Sequence, residues 1–259
     1  SSSPHECGAA MPEIKLESDR PRATALVTGA TVRVGLEIAL ALARSGRDLV
    51  LHCRRHDQRA EDAAAAVAAT GARAFIVEAD LTDRQAVERM FRDIGQMAGG
   101  LDILVNSAAV FGFSPPDNLS VADFDHFIDT NLKAPYMCCI LARKLMKPGA
   151  SIVNIADVAA ERPFRNHVPY CISKAGIVML TRSLAKAWAP DIRVNAISPG
   201  TVLFRDDEDE ATRAAVRRRI PMARIGTPED VAKAVIFLCD NAAHTTGAIL
   251  QVDGGRSLD

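Results

Sequence analysis

The chain has 259 residues, 48% of them hydrophobic and 24% charged. That composition excludes collagen, a disulfide scaffold and wholesale disorder, and α/β folds often use about 250 residues as one domain. Lys and Arg total 31 against 32 Asp and Glu, a net charge of -1, so the basic excess of a general nucleic-acid binder is missing.

Residues 1–21 are small, polar and Pro-containing and read as a flexible N-terminal extension, with Met11 a candidate start. They lack the apolar stretch of a signal peptide. From Ala23 onward, short apolar runs alternate with longer stretches of helical period. The runs predict strands over 23–28, 48–53, 73–79, 101–106, 151–156, 192–197 and 248–252. Each is continuous rather than alternating, as strands covered on both faces should be. Helices are predicted over 33–45, 57–69, 83–98, 120–146, 168–189 and 228–239. Asp57 and Thr82 suit helix N-caps, Gly46 and Gly71 helix ends, and Pro228 a first helical position. This order predicts one Rossmann-like domain over 22–259, a doubly wound parallel sheet of about seven strands with helices on both faces. No apolar run reaches the ~20 residues of a membrane span. Cys7, Cys53, Cys138, Cys139, Cys171 and Cys239 are scattered, without metal spacing. They read as free thiols in a reducing, cytoplasmic setting.

The first strand runs into Thr28-Gly29-Ala30-Thr31-Val32-Arg33-Val34-Gly35 and then a helix. A tight turn feeding a helix N-terminus offers free N–H groups and a positive dipole end to an anion. Glycine at 29 permits the turn, and glycine at 35 lets helix, sheet and ligand approach closely. This TGxxxxxG turn resembles that of the short-chain dehydrogenase/reductases. Further matches follow in order: Asn106-Ser107-Ala108-Ala109, Asn131, Tyr170-x-x-x-Lys174, Ser198-Pro199-Gly200 and Val252-Asp253-Gly254-Gly255. The resemblance covers about residues 22–258. Two departures stand out. Arg33 replaces the middle glycine, giving TGxxxRxG, and Asp157 stands where the family has its catalytic serine. Both resemble the pteridine reductase branch, with its Asp-Tyr-Lys site.

The resemblance implies a dinucleotide held by Gly29, Thr31, Arg33, Val34, Gly35, Leu81, Asn106, Ala108, Pro199 and Gly200, with Asp80 near the adenine. The second strand ends His52-Cys53-Arg54-Arg55, where an NAD-selective fold places a carboxylate. Two guanidiniums there, with Arg33, favour a 2′-phosphate and hence NADPH; a merely solvated basic turn is the plainer reading. Tyr170 and Lys174 lie four apart on one helix and share a face. A nearby ammonium lowers a phenol pKa toward the useful range. Lys174 also reaches the nicotinamide ribose by analogy, and Asn131 holds a water relay. Asp157 either handles substrate or caps a turn. Phe111 either stacks on a ring or joins the core. The acidic run Asp206–Glu210 and Arg217–Arg219 suit opposite ends of a short helix.

The function so implied is NADPH-dependent hydride transfer to a C=N bond of a pterin or dihydrofolate. Tyr170, Lys174, Asp157 and Asn131 are its catalytic set, Phe111 its substrate platform, and no metal is called for. The alternatives are a carbonyl or 3-oxoacyl-thioester reductase, whose wider group shares the segment Arg224–Ala232, and a non-catalytic NADPH-binding sensor. Family analogy adds a homotetramer built through the long helices.

Overall fold

The computed structural model describes residues 22–204 and 208–258. The expected extension over 1–21 lies outside them, as do Arg205, Asp206, Asp207 and Asp259. The strands are β1 (Thr24–Val27), β2 (Asp48–Cys53), β3 (Ala74–Glu78), β4 (Leu101–Asn106), β5 (Met146–Ile155), β6 (Arg193–Pro199) and β7 (Ile249–Val252). They form one sheet in the order β3-β2-β1-β4-β5-β6-β7, and every pairing is parallel. The helices are α1 (Arg33–Arg44), α2 (Gln58–Ala68), α3 (Arg84–Ala98), α4 (Val121–Ile128), α5 (Ala134–Arg143), α6 (Val168–Trp188), α7 (Glu210–Arg218) and α8 (Pro228–Ile236).

Alternate strand residues supply two cores, because successive side chains point to opposite faces. Leu26, Val50, Leu104 and Ile152 meet Phe91 and Ile94 of α3 and Cys138 of α5 on one face. Ala25, Val27, Leu49 and Leu51 meet Ile38 and Leu42 of α1 and Val231 and Val235 of α8 on the other. Both faces are dry, which is why the strands read as unbroken apolar runs. Strand order reverses between β1 and β4. Such a switch point opens a crevice beyond the carboxyl ends of the strands. Thr28 bridges that crevice: its Oγ1 accepts from the N–H groups of Ser107 and Ala108, each at 3.0 Å.

Several local expectations hold. Asp57 caps α2 by accepting from Arg59 N, and Gly46 and Gly71 take φ of +90° and +86°. Thr227 and Asp230 form a capping box around Pro228. Three boundaries need correction. Asp83, not Thr82, caps α3, because Thr82 is engaged by Asp80. The helix expected over 120–146 is two helices joined by a π-helical segment, Asp129–Lys133, and it ends at Arg143; β5 already begins at Met146. The last expected helix ends its α-helical part at Ile236, with a π-helical turn over Phe237–Asn241. An extra residue in a helical turn leaves the apolar periodicity nearly intact, so hydrophobic pattern alone does not show it.

Candidate active site

The β1–α1 turn needs its glycines for space. Gly29 has φ +66°, and a Cβ there would lie 3.0 Å from Ala108 Cα; a Cβ on Gly35 would lie 2.1 Å from Gly29 O. His52 braces the turn from β2. Its Nδ1 accepts from Gly29 N at 3.1 Å and its Nε2 lies 3.0 Å from Ala79 O. That pairing suits the neutral ring with the proton on Nε2, and burial lowers the His52 pKa accordingly. The N-terminus of α1 carries no side-chain cap and no acidic residue in its first turn. The residues of that uncapped first turn, Arg33, Val34 and Gly35, line the cleft.

That cleft measures about 360 Å³, and Gly29, Arg33, Val34, Gly35, His52, Arg54, Asp80, Leu81 and Ala108 all line it. Narrow glycine cradle, uncapped helix end and cationic lip fit a dinucleotide. The remaining residues expected to hold it are placed differently. Thr31 sits in the turn and Arg55 is exposed beyond β2. Asn106 is buried behind the cleft, its amide donating to Asn154 Oδ1 at 2.8 Å and to Cys139 Sγ at 3.3 Å. Pro199 ends β6, and Gly200 faces the neighbouring pocket. Arg54 and Asp80, expected to meet different parts of the cofactor, meet each other: Arg54 Nη2 lies 3.0 Å from Asp80 Oδ2. Hydrogen bonds from Thr82, with Arg54 helping, hold the Asp80 carboxyl below its usual range.

Arg33 has φ +50°, the left-handed region that side chains with a Cβ avoid. It lines both the cleft and a second pocket of about 270 Å³. That second pocket holds Phe111, Asp157 and Tyr170. Tyr170 and Lys174 project from α6, while Asp157 follows β5. Tyr170 Oη donates to Asp157 Oδ2 at 2.8 Å. The other carboxylate oxygen of Asp157 accepts from Ala159 N at 2.8 Å. Asp157 therefore caps the turn after β5 and is at the same time the partner of the tyrosine. Lys174 Nζ donates to Ile155 O at 2.9 Å and lies 5.8 Å from the Tyr170 ring centre.

Burial sets the electrostatics. It raises the Asp157 pKa, against the opposing pull of Ala159 N–H, Lys174 and Tyr170. It lowers Lys174 from 10.5 to about 8. Tyr170 is pushed up, by burial first and the Asp157 charge second. Lys174 was expected to lower the phenol pKa. In the free protein the phenol is instead held up, by burial first and then by the Asp157 carboxylate in direct contact with it.

Asn131 lies in the π-helical segment and is buried. Both of its amide protons are committed, to Val110 O at 2.9 Å and Ser173 Oγ at 3.1 Å, and its Oδ1 accepts from Val110 N. Its side chain therefore clamps the loop after β4 to α6. Phe111 is 53% exposed, which decides against a core role. Its ring stacks on His167 at 4.6 Å between centres and meets Tyr170 edge-on at 4.9 Å. Two contributors escaped sequence reasoning. Ser173, which bonds Tyr170 O at 2.7 Å, and His167, whose Nδ1 lies 2.6 Å from Gly112 O, sit beside the motif residues. Only their nearness to Tyr170 and Lys174 in the chain could have marked them. Among the described residues there is no group of His, Cys, Asp and Glu that could hold a metal ion.

Fold and site together define a dinucleotide-dependent oxidoreductase. Residues 29–257 match the family described as enoyl-(acyl carrier protein) reductase. The chain is 36% identical to 3beta-hydroxysteroid dehydrogenase 1 of Eggerthella lenta, over 91% of this chain and 94% of that one. It is 32% identical to the 3-oxoacyl-[acyl-carrier-protein] reductase FabG of Staphylococcus aureus, over 91% and 98%. A short-chain dehydrogenase/reductase from Serratia marcescens superposes with a TM-score of 0.87 at 30% identity, over 91% of this chain and 98% of that one. The chain belongs to the short-chain dehydrogenase/reductase family, whose members use nicotinamide cofactors. Among the described residues no helix is long and apolar enough to cross a membrane.

Proposed function

We propose that this protein is an NADPH-dependent reductase of carbonyl compounds, 3-oxoacyl thioesters among them. The observation that carries the reading is the buried Tyr170–Asp157 hydrogen bond, with Lys174 behind it, in a pocket that Arg33 joins to the dinucleotide cleft. The names of the curated relatives support a carbonyl or alcohol as the reacting group. Gly29, Gly35, Leu81 and Ala108 would cradle the dinucleotide, with its pyrophosphate at the N-terminus of α1. The nicotinamide, when bound, supplies the hydride.

Tyr170 gives its proton to the carbonyl oxygen as negative charge develops there. Asp157, whose pKa burial raises, donates a second hydrogen bond to that oxygen when it carries a proton, the role a serine hydroxyl would fill. Lys174 restores and steadies the phenol, and Asn131 holds the Val110 loop against α6 so that the pocket keeps its shape. Arg33 and Arg54, which line the cleft, with Arg55 exposed next along the chain, support a 2′-phosphate and so NADPH over NADH. Apolar side chains exposed on α4, α5 and α6, among them Val121, Tyr136 and Met179, support assembly as a homotetramer through those helices.

A second reading rests on its own observation. Asp157 and the half-exposed ring of Phe111 line the same pocket, which, with the carboxyl group ionised, suits a flat nitrogen heterocycle that donates N–H groups to the carboxylate. The reaction would then be reduction of a pterin-type C=N bond. Steady-state rates with NADPH and NADH, using acetoacetyl thioester and dihydrobiopterin in turn, separate the two. Thioester reduction without pterin turnover is expected; pterin turnover alone overturns the carbonyl reading. If neither reacts and Tyr170→Phe leaves the cellular role intact, the chain is a non-catalytic binder.

A further inference from the structure

We propose an anion-binding subsite beside the substrate pocket, taking the arm of a substrate that carries two or more negative charges. The proposal names a substrate class for the reductase above and rests on that reading for the identity of the pocket it adjoins. A cavity of about 700 Å³ opens next to the active site, lined by Arg162, Arg165, Arg219 and Arg256. The four come from three separate segments: the loop before α6, the end of α7, and the turn after β7. Among the described residues no carboxylate lines the cavity, and none of the four arginines has an ion-pair partner. Neighbouring cations do find partners: Arg217 pairs with Glu210, and Arg224 with Asp230.

Gathering four like charges around one cavity is unfavourable unless something of opposite sign enters it. Two of the four are also held in place. Arg162 Nε donates to Ser257 O at 2.9 Å, and Arg256 Nη1 donates to Arg219 O at 3.4 Å. Each leaves further guanidinium N–H groups free. A guanidinium offers a planar fork that matches carboxylate and phosphate oxygens.

Position makes this a substrate subsite. Val158 and Phe164 line both this cavity and the pocket that holds Tyr170 and Asp157. A molecule with its reacting carbon at Tyr170 passes these two side chains and ends among the arginines. The cofactor cleft shares no residue with the cavity, so its phosphates are served elsewhere.

The test titrates the enzyme, saturated with NADP+, with tripolyphosphate and with tricarballylate by calorimetry at low and high salt. Arg165→Gln/Arg219→Gln is the variant of choice, since among the described residues neither side chain makes a hydrogen bond. Binding of at least one anion is expected, weakened by salt and about tenfold or more in the variant. A preference for one anion assigns the arm as phosphate-bearing or carboxylate-bearing. In turnover, the KM of acetoacetyl coenzyme A should rise by a similar factor in the variant, while that of ethyl acetoacetate stays unchanged. No anion binding to the wild type, equal binding to the variant, or equal changes in both KM values would overturn the subsite. The titration needs no turnover, so a failure to reduce any ketone sinks the functional reading and leaves the subsite standing.

Discussion

Asp157→Ser tests the chemistry at its most unusual position. The carboxyl oxygen lies 2.8 Å from Tyr170 Oη, so a substrate oxygen bound to the tyrosine sits in close contact with it. Protonated, Asp157 donates to that oxygen; ionised, it repels the developing alkoxide. Two unit charges 4 Å apart at an effective dielectric of ~20 repel by about 4 kcal/mol, roughly a thousandfold in rate at full charge development. Burial raises the Asp157 pKa, so carbonyl reduction by the wild type falls as pH climbs through that raised value. Serine cannot ionise there. The ratio of kcat/KM for Asp157→Ser over wild type, measured with a ketone from acid to neutral pH, should start near one and climb steeply. A ratio that does not change with pH refutes the protonated-donor role. If the variant loses dihydrobiopterin reduction at every pH and gains nothing with ketones, the carboxylate is serving a nitrogen heterocycle instead.

Arg33→Gly removes a left-handed residue with a Cβ, which costs roughly 1–2 kcal/mol. The gain in thermal stability is partly offset by the flexibility of glycine, while NADPH affinity falls more than NADH affinity in a fluorescence titration. Asn131→Ala removes two hydrogen bonds to Val110 and one to Ser173 of α6 and strands buried partners. It should cost roughly 2–3 kcal/mol in urea denaturation and lower kcat. Lys174 has a folded pKa of about 8 against 10.5, so between those values the unfolded chain binds more protons. Stability from this group therefore rises with pH across that window, by about 3 kcal/mol in all, and Lys174→Met should flatten the rise in denaturation curves. Met179→Glu places a charge at an exposed apolar position of α6 and should dissociate the proposed tetramer in sedimentation; an unchanged sedimentation profile counts against that assembly.

Much of the fold was legible because both faces of the sheet are covered. Apolar runs such as Asp48–Cys53, buried at all six positions, announce parallel strands without any partner in view. The glycine turn was legible because sterics leave few choices at Gly29 and Gly35. Legibility failed where a side chain has competing partners within reach. Thr82 has the chemistry of a cap but is taken by Asp80. Nothing in the sequence announced that Arg54, at the lip of the cleft, also pairs with Asp80. The break at Asn131 was hidden because one extra residue in a helical turn barely disturbs the apolar period. The arginine cavity was hidden for another reason: its members lie 94 residues apart along the chain, from Arg162 to Arg256, and only the fold brings them together.

The resting site also constrains how the reaction begins. Tyr170 points its proton at Asp157, and that contact is among the causes raising its pKa. A phenol so engaged is a reluctant acid, since any substrate oxygen must take over a bond already made. Substrate binding therefore has to do two things at once: displace the Asp157–Tyr170 bond and supply a replacement partner for the carboxyl group. A ketone does this only when Asp157 carries a proton to give it, whereas a heterocycle with N–H donors does it when Asp157 is ionised. In the proposed mechanism, the protonation state of one buried carboxyl group thus selects the class of substrate. Tyr170→Phe provides the independent check. Removing the phenol takes away one stabiliser of the Asp157 charge, so the carboxyl pKa should move up further. An infrared carbonyl band of protonated Asp157 that persists to higher pH in Tyr170→Phe than in wild type, and is absent in Asp157→Ser, is the expected result. A band that titrates at the same pH with and without the phenol would break the coupling on which the selection depends.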